Sequence, residues 1–264
     1  MALIRMGFFS KALGMCTSCN VILPQQPGPD APARTFPVLY LLHPIKASHS
    51  SWQRMTAIEY YAAQHGVVVV MPDAHLSSYT DMVHGGKYFT YIADELPEIM
   101  KNFFPISDKR EETFICGASC GGYGALKIGL RRPERFGAAG SLSSGFTSYR
   151  GVISREDDRG ISLETLIFGS PEGTEADDIA TADAAHAVVE SGENIPRIFI
   201  TCGSDDAMLI ENCREAKEFF ESFEGDPFDF CYTEHPGGHD WGYWDAHICD
   251  FLQYAGLEPG QNLR

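Results

Sequence analysis

The sequence predicts an α/β fold, with a mostly parallel central sheet and helices on both faces, in a single domain over residues 1–264. Short apolar runs alternate with helix-length segments along most of the chain, the pattern of buried strands joined by crossover helices. A length of 264 residues suits one such domain. Hydrophobic residues make up 44 % and charged residues 21 %, a globular balance that argues against disorder.

Asn20 to Pro24 reads as an early strand, and Gln25 to Arg34, rich in Pro, Gly and Gln, as a loop. Pro37 to His43 is a near-continuous apolar run and reads as a strand covered on both faces. Ser51 to His65 has helical length and starts with a capping serine. Gly66 to Pro72 is a second buried strand, and Asp94 to Phe104 a helix that Pro105 stops. Thr113 to Gly117 is a third buried strand, followed by a helix from Tyr123 to Arg132 that Pro133 closes. Ala138 to Leu142, Ile195 to Cys202 and Phe228 to Thr233 read as strands, with helices at Glu211 to Phe223 and Trp241 to Tyr254. Gly151 to Gly192 breaks this rhythm with Glu156-Asp157-Asp158 and Glu175-Ala176-Asp177-Asp178, and reads as a loop or cap insertion.

The charge sum is −16, from 20 Lys+Arg and 36 Asp+Glu. Such a surface repels nucleic-acid phosphates and anionic lipid heads, so neither nucleic acid nor membrane is an expected partner. The most apolar run, Val67 to Met71, is far below the roughly 20 residues of a membrane helix. The N-terminal Met1 to Phe9 is apolar, but Ser10 and Lys11 interrupt it and no small-residue cleavage site follows. The expected location is the cytoplasm. Eight cysteines are too dilute for a disulfide scaffold, and Cys16 and Cys19 find no second ligand pair for zinc. Their spacing reads as alternation along a strand, with a redox pair as the other reading.

Gly117-Ala118-Ser119-Cys120-Gly121-Gly122 matches G-x-S-x-G between a buried strand and a helix, the context that motif requires. Small residues around Ser119 let two backbones approach, and the serine stands at a helix N-terminus, where amides and the helix dipole favour negative charge. For Cys120 the −2 position is Ala118, so the register belongs to Ser119 and Cys120 lends its backbone. A serine hydroxyl is a weak nucleophile unless a base takes its proton. Asp205-Asp206 and His239 follow in the chain order Ser, Asp, His, each after a strand, where sites in such sheets lie. His239 is preferred to His235 because Gly237-Gly238 make a loop that brings the ring toward Ser119. The oxyanion donors are the amide of Cys120 and one from the loop after His43; Pro44 has no N–H, so the second donor is Ile45. Trp52, Tyr123 and Trp241, with Trp244, fall in or near these loops and read as a substrate rim or as core. His43 and His49 lack a carboxylate cluster at ligand spacing and read as structural; no metal or cofactor is expected.

On these residues the chain resembles the α/β-hydrolase esterases of the tributyrin esterase and esterase D type. The likeness runs from Phe8-Phe9-Ser10 and Asn20-Val21-Ile22-Leu23-Pro24 through Leu41-Leu42-His43, Ser50-Ser51-Trp52 and Gly117 to Ala125. It ends in Cys202-Gly203-Ser204-Asp205-Asp206 and Gly237-Gly238-His239-Asp240-Trp241. The resemblance implies an α/β-hydrolase fold, and it selects Asp206, three positions after Gly203, as the acid. It also implies hydrolysis of short acyl esters through an acyl-serine intermediate, including acetyl or feruloyl esters of carbohydrates. S-formylglutathione hydrolases and acyltransferases in the same group use the same triad. A non-catalytic binding module is the remaining alternative, against which the complete Ser–Asp–His set speaks. Relatives commonly carry His-Gly in place of His43-Pro44, and methionine in place of Cys120. The expected partner is a small-molecule ester, with a homo-oligomer open.

Overall fold

The computed structural model describes residues 1–25, 34–147, 153–156 and 160–260. Strands β1 (Ala2–Ser10), β2 (Met15–Leu23), β3 (Val38–Leu42), β4 (Val68–Pro72), β5 (Thr113–Ala118), β6 (Ala138–Leu142), β7 (Arg197–Gly203) and β8 (Cys231–His235) form one sheet. Its order is β1-β2-β4-β3-β5-β6-β7-β8. The β1–β2 and β2–β4 pairings are antiparallel, and every pairing from β4 to β8 is parallel. The helices are α1 (Ser51–Met55), α2 (Ile58–His65), α3 (Leu96–Phe103), α4 (Cys120–Arg131), α5 (Leu163–Phe168), α6 (Pro171–Ser191), α7 (Ile210–Glu221) and α8 (Trp241–Tyr254). A three-residue helix, Tyr88–Thr90, and a π-helical turn, Tyr91–Glu95, lead into α3.

Alternate residues of each strand feed two cores. Val38, Tyr40, Leu42, Val68, Val70 and Ile115 pack with Leu96 and Met100 of α3, Leu126 and Ile128 of α4, Ala185 of α6 and Phe220 of α7. Leu39, Leu41, Val69, Met71 and Phe114 pack on the other face with Trp52, Ile58, Ala62, Trp244, Ile248 and Phe251 of α1, α2 and α8. Strands buried on both faces have no polar alternation, which is why these runs read as continuous apolar sequence.

Several boundaries differ from the sequence reading. The sheet starts at Ala2, because Ile4, Met6 and Phe8 alternate with exposed residues and pack against the first core while the strand pairs with β2. Cys16 and Cys19 lie on β2 three residues apart, hence on opposite faces: Cys16 is exposed and Cys19 is buried. Burial pushes the Cys19 thiol up to about 12. The helix expected over 51–65 is broken at Thr56-Ala57, where the Ala57 amide donates to Asp245 Oδ1 of α8 (2.8 Å). Ser51 lies inside α1 and does not cap it; its hydroxyl accepts from Ser48 N (3.0 Å).

Within 151–192 the described residues hold α5 and α6, which carry the chain from β6 to β7. Helix α6 is capped by the Ser170 hydroxyl, has Pro171 in its first turn and ends at Gly192 in the left-handed conformation. It joins α4 through a buried polar network. Lys127, with 0 % exposure, donates to Asp177 Oδ2 (3.1 Å), Thr80 Oγ1 (2.6 Å) and Ser78 O (3.1 Å). Arg131 donates to Asp177 Oδ1 (2.9 Å). Burial lowers the Lys127 pKa; it opposes ionisation of Asp177 too, yet Lys127 and Arg131 hold that carboxyl below its ordinary range. The loop read at 25–34 and the acidic pair Asp157-Asp158 fall largely outside the described residues. Among the described residues no helix is long and apolar enough to cross a membrane.

Candidate active site

Ser119 sits in the turn between β5 and α4 at φ 54°, ψ −122°, a strained conformation for a residue with a Cβ, costing about 1–3 kcal/mol. Tertiary contacts hold it there. Its amide donates to Leu142 O (2.8 Å) on β6, and its carbonyl accepts from Tyr123 N (3.0 Å). The turn closes because glycines meet backbone. A Cβ on Gly117 would lie 2.4 Å from the Gly121 carbonyl carbon, and one on Gly121 would lie 2.4 Å from Leu42 O. The helix therefore begins at Cys120, earlier than the Tyr123 start expected from apolar spacing.

Asp206 lies in the turn after β7, 1 % exposed. Its Oδ1 accepts from the amides of Met208 (3.1 Å) and Leu209 (3.0 Å). Asp205 is exposed, and its amide donates to Gly237 O (2.9 Å). His239 lies in the loop between β8 and α8, and Ser204 N donates to His235 O (2.8 Å) to tie this loop to that of Asp206. His235 itself ends β8, with its ring stacked on His247 at 4.4 Å.

The structure brings Ser119, His239 and Asp206 together. His239 Nδ1–H donates to Asp206 Oδ2 (2.7 Å), and the Ser119 hydroxyl donates to His239 Nε2 (2.9 Å). A carboxylate on Nδ1 selects the tautomer that leaves the Nε2 lone pair toward the serine. Burial opposes the charge on Asp206, but the hydrogen bond and charge of His239, with the Leu209 and Met208 amides, hold its carboxyl below the usual range. The Trp244 ring meets the His239 ring edge-on at 5.2 Å, and its Nε1 donates to Ser143 Oγ (3.1 Å). The imidazole is thus fixed by a carboxylate on one side and an aromatic wall on another.

Ser119 and His239 open into a cavity of about 630 Å³, large enough for a small organic ester. Its apolar lining includes Ile45, Met55, Met208, Trp241 and Trp244. Ile45 lies in the Pro44–Ala47 turn, where Pro44 O accepts from Ala47 N (3.2 Å) and His43 Nδ1 (2.8 Å). Cys120 opens α4, so its amide belongs to the first-turn donors that point out of the helix. Its thiol is buried and donates to Ser78 Oγ (3.8 Å).

Two residues read as substrate contacts do not line the cavity. Trp52 is 1 % exposed, with Nε1 donating to Leu42 O (2.9 Å) and its ring edge-on to Trp241 (5.3 Å). Tyr123 is 1 % exposed and donates to Asp177 Oδ2 (2.6 Å), on the side of α4 that faces α6. Trp52 supports Trp241 from behind and Tyr123 faces α6, because a helix presents only one face to the site. Trp241 does line it. Sequence reasoning missed Met55, Met208, Arg54 and Arg155 as lining residues. Arg54 and Met55 stand on α1, Arg155 between β6 and α5, and Met208 after β7, and no motif marks them.

His43 and His49 are structural. Ala74 N donates to His43 Nε2 (3.0 Å), and burial lowers the pKa of this ring. His49 pairs with Asp73 (2.8 Å). Among the described residues, the one His/Asp group with ligand atoms within 4.8 Å of one another is His235, His247 and Asp250. It lies where β8 meets α8, apart from the cavity lining.

A mostly parallel sheet with a hydrogen-bonded serine, histidine and aspartate at its strand ends is the arrangement of a serine hydrolase of the α/β-hydrolase fold. The chain belongs to the Esterase family, whose model matches residues 10–254. It is therefore a carboxylic ester hydrolase. It is 29 % identical over 264 residues to the acetyl esterase of Caldicellulosiruptor saccharolyticus, covering 96 % of this chain and 98 % of that protein. Two Staphylococcus aureus structures are each 30 % identical, covering 96 % of this chain and 98 % of theirs. The fluorophosphonate-binding serine hydrolase FphF superposes with a TM-score of 0.85, and the S-formylglutathione hydrolase FrmB with 0.80.

Proposed function

We propose that this chain hydrolyses short-chain acyl esters through an acyl-serine intermediate, with Ser119 as nucleophile, His239 as base and Asp206 as its orienting acid. The observation that carries this is the continuous hydrogen-bonded line from Ser119 Oγ through the imidazole to Asp206. Ser119 Oγ attacks the ester carbonyl while Nε2 takes its proton. The carbonyl π electrons move onto oxygen, where the amides of Cys120 and Ile45 receive the charge, a contribution of about 10²–10³ in rate per donor. The C–O bond to the leaving alcohol breaks as the imidazolium returns the proton to it. Water, deprotonated by the same Nε2, then cleaves the acyl-serine and releases the carboxylic acid.

The likeness to an acetyl esterase over nearly the full length supports a small acyl group. One sheet running from β1 to β8 supports a chain that acts as a single domain. Eight free cysteines support a reducing compartment, the cytoplasm. Hydrolysis of p-nitrophenyl acetate, together with labelling by a fluorophosphonate probe, tests the assignment. Wild-type protein turns over the ester and is labelled, and Ser119→Ala does neither. Unchanged turnover in Ser119→Ala excludes it.

A further inference from the structure

The mouth of the cavity carries a charge pattern opposite to that of the chain. The chain holds 36 Asp+Glu against 20 Lys+Arg. The cavity lining nevertheless includes three cations, Lys46, Arg54 and Arg155, and one carboxylate, Asp240. They come from three separate segments: the loop after β3, helix α1, and the stretch between β6 and α5. All three are exposed.

Most cations elsewhere face a carboxylate, although Arg5, Lys11 and Lys87 form no ion pair among the described residues. Lys127, Arg131, Arg132, Arg135, Arg197 and Arg214 are all ion-paired with carboxylates. Lys46, Arg54 and Arg155 have no carboxylate partner among the described residues. Asp240 caps α8 by accepting from Tyr243 N (3.0 Å) and offsets only one of the three cations, so the lining stays net positive. In a chain this acidic, three cations gathered around an apolar cavity create a local positive potential, which low-dielectric walls focus toward the entrance. Neutral substrates gain nothing from that field.

We propose that Lys46, Arg54 and Arg155 form a recognition site for a carboxylate carried on the leaving alcohol or thiol of the substrate. This rests on the assignment of Ser119 as nucleophile. The reacting carbonyl must sit against Ser119, which is 2 % exposed, whereas the cations stand at the exposed rim. A short acyl group is used up near the floor, so the leaving portion is the part long enough to reach them. Two guanidinium forks and an ammonium suit a carboxylate: arginine binds it bidentately, and lysine adds a point charge. The preferred substrates are thus short-chain esters or thioesters of acidic alcohols or thiols.

The test compares kcat/KM for 4-acetoxybenzoate with that for its neutral methyl ester. The readout is the anionic-to-neutral ratio, taken in wild type and in a Lys46→Met, Arg54→Gln, Arg155→Gln triple variant. Comparing ratios between proteins cancels the intrinsic reactivity of the two esters. The ratio is expected to fall about tenfold or more in the triple variant. It should also fall in wild type at about 1 M salt, where the screening length shrinks to about 3 Å. A ratio unchanged within about twofold overturns the proposal. So does a triple variant that loses preference only for an anion on the acyl side, read with mono-4-nitrophenyl succinate. Failure of the Ser119 assignment looks different: Ser119→Ala then turns over p-nitrophenyl acetate as wild type does, or wild type cleaves neither ester and escapes the fluorophosphonate probe. In that event the rim is read by calorimetric binding of 4-hydroxybenzoate against its methyl ester. Equal affinity, or a difference that survives the triple substitution, overturns it.

Discussion

Gly203 and Gly237 face each other backbone to backbone at the ends of β7 and β8. A Cβ on Gly203 would lie 2.2 Å from Gly237 O, closer than real Cβ contacts come. This contact lets the loop of Asp206 lie against the loop of His239, with Ser204 N and Asp205 N donating to His235 O and Gly237 O. Gly237 itself has φ +148°, which favours glycine. Gly203→Ala should therefore force the two loops apart and move His239 away from Ser119. We expect kcat with p-nitrophenyl acetate to fall about 10²-fold, since a displacement of about 1 Å suffices for that. Thermal unfolding should show a lower Tm, as overpacking costs about 1–3 kcal/mol.

On the proposed roles, Ser119, His239 and Asp206 act as one unit, so their losses should not add. Asp206→Asn keeps the shape but removes the carboxylate that selects the His239 tautomer, and should lower kcat about 10⁴-fold. Ser119→Ala should cost at least as much, and the double variant little more than either alone. Steady-state kinetics on the three proteins checks this. Additive losses would mean that the two residues act separately.

The buried ion cluster between α4 and α6 predicts a stability effect away from the chemistry. Asp177→Asn leaves Lys127, fully buried, without its counter-charge. Breaking such a pair costs about 3–5 kcal/mol. Urea denaturation should show the midpoint falling with little change in slope. A loss below about 1 kcal/mol would mean that Thr80, Ser78 and Tyr123 already satisfy the ammonium.

The same carboxyl sets a pH dependence. Asp177 is held below its ordinary value of 3.8 in the folded chain, so its pairing stabilises the fold fully above that value. Below it the unfolded chain binds more protons, and stability falls as pH drops through the folded pKa. Asp206 is shifted in the same direction and adds to the same limb. Stability measured from pH 5 down to pH 2 should fall less steeply in Asp177→Asn than in wild type. Parallel curves would remove Asp177 from the account.

Trp52 separates wall from contact. Trp52→Phe removes the Nε1 bond to Leu42 O and part of the edge-on packing against Trp241. It should lower stability by about 1 kcal/mol or more while KM for a small ester stays within about twofold. A large change in KM with an unchanged Tm would return Trp52 to the substrate surface.

The sequence alone determined whatever rests on local chemistry. Apolar runs marked the buried strands because a strand covered on both faces has nothing polar to alternate. Gly117 to Gly122 marked the turn at Ser119 because only small residues let helix and strand backbones touch there. The Gly237-Gly238 loop singled out His239 over His235 for a similarly local reason. Tertiary structure decided what depends on direction. Trp52 and Tyr123 lie close in sequence to site loops, yet both side chains point into packing, since a helix turns most of its residues away from any one cavity. Strand β1 is held by pairing and packing that a nine-residue window does not reveal. The 151–192 stretch places a 21-residue helix on α4, through a cluster whose members lie about fifty residues apart in the chain. Lys46, Arg54 and Arg155 line one cavity only because the β3–β4 and β6–β7 connections converge beside Ser119, and one-dimensional spacing carries no record of that convergence.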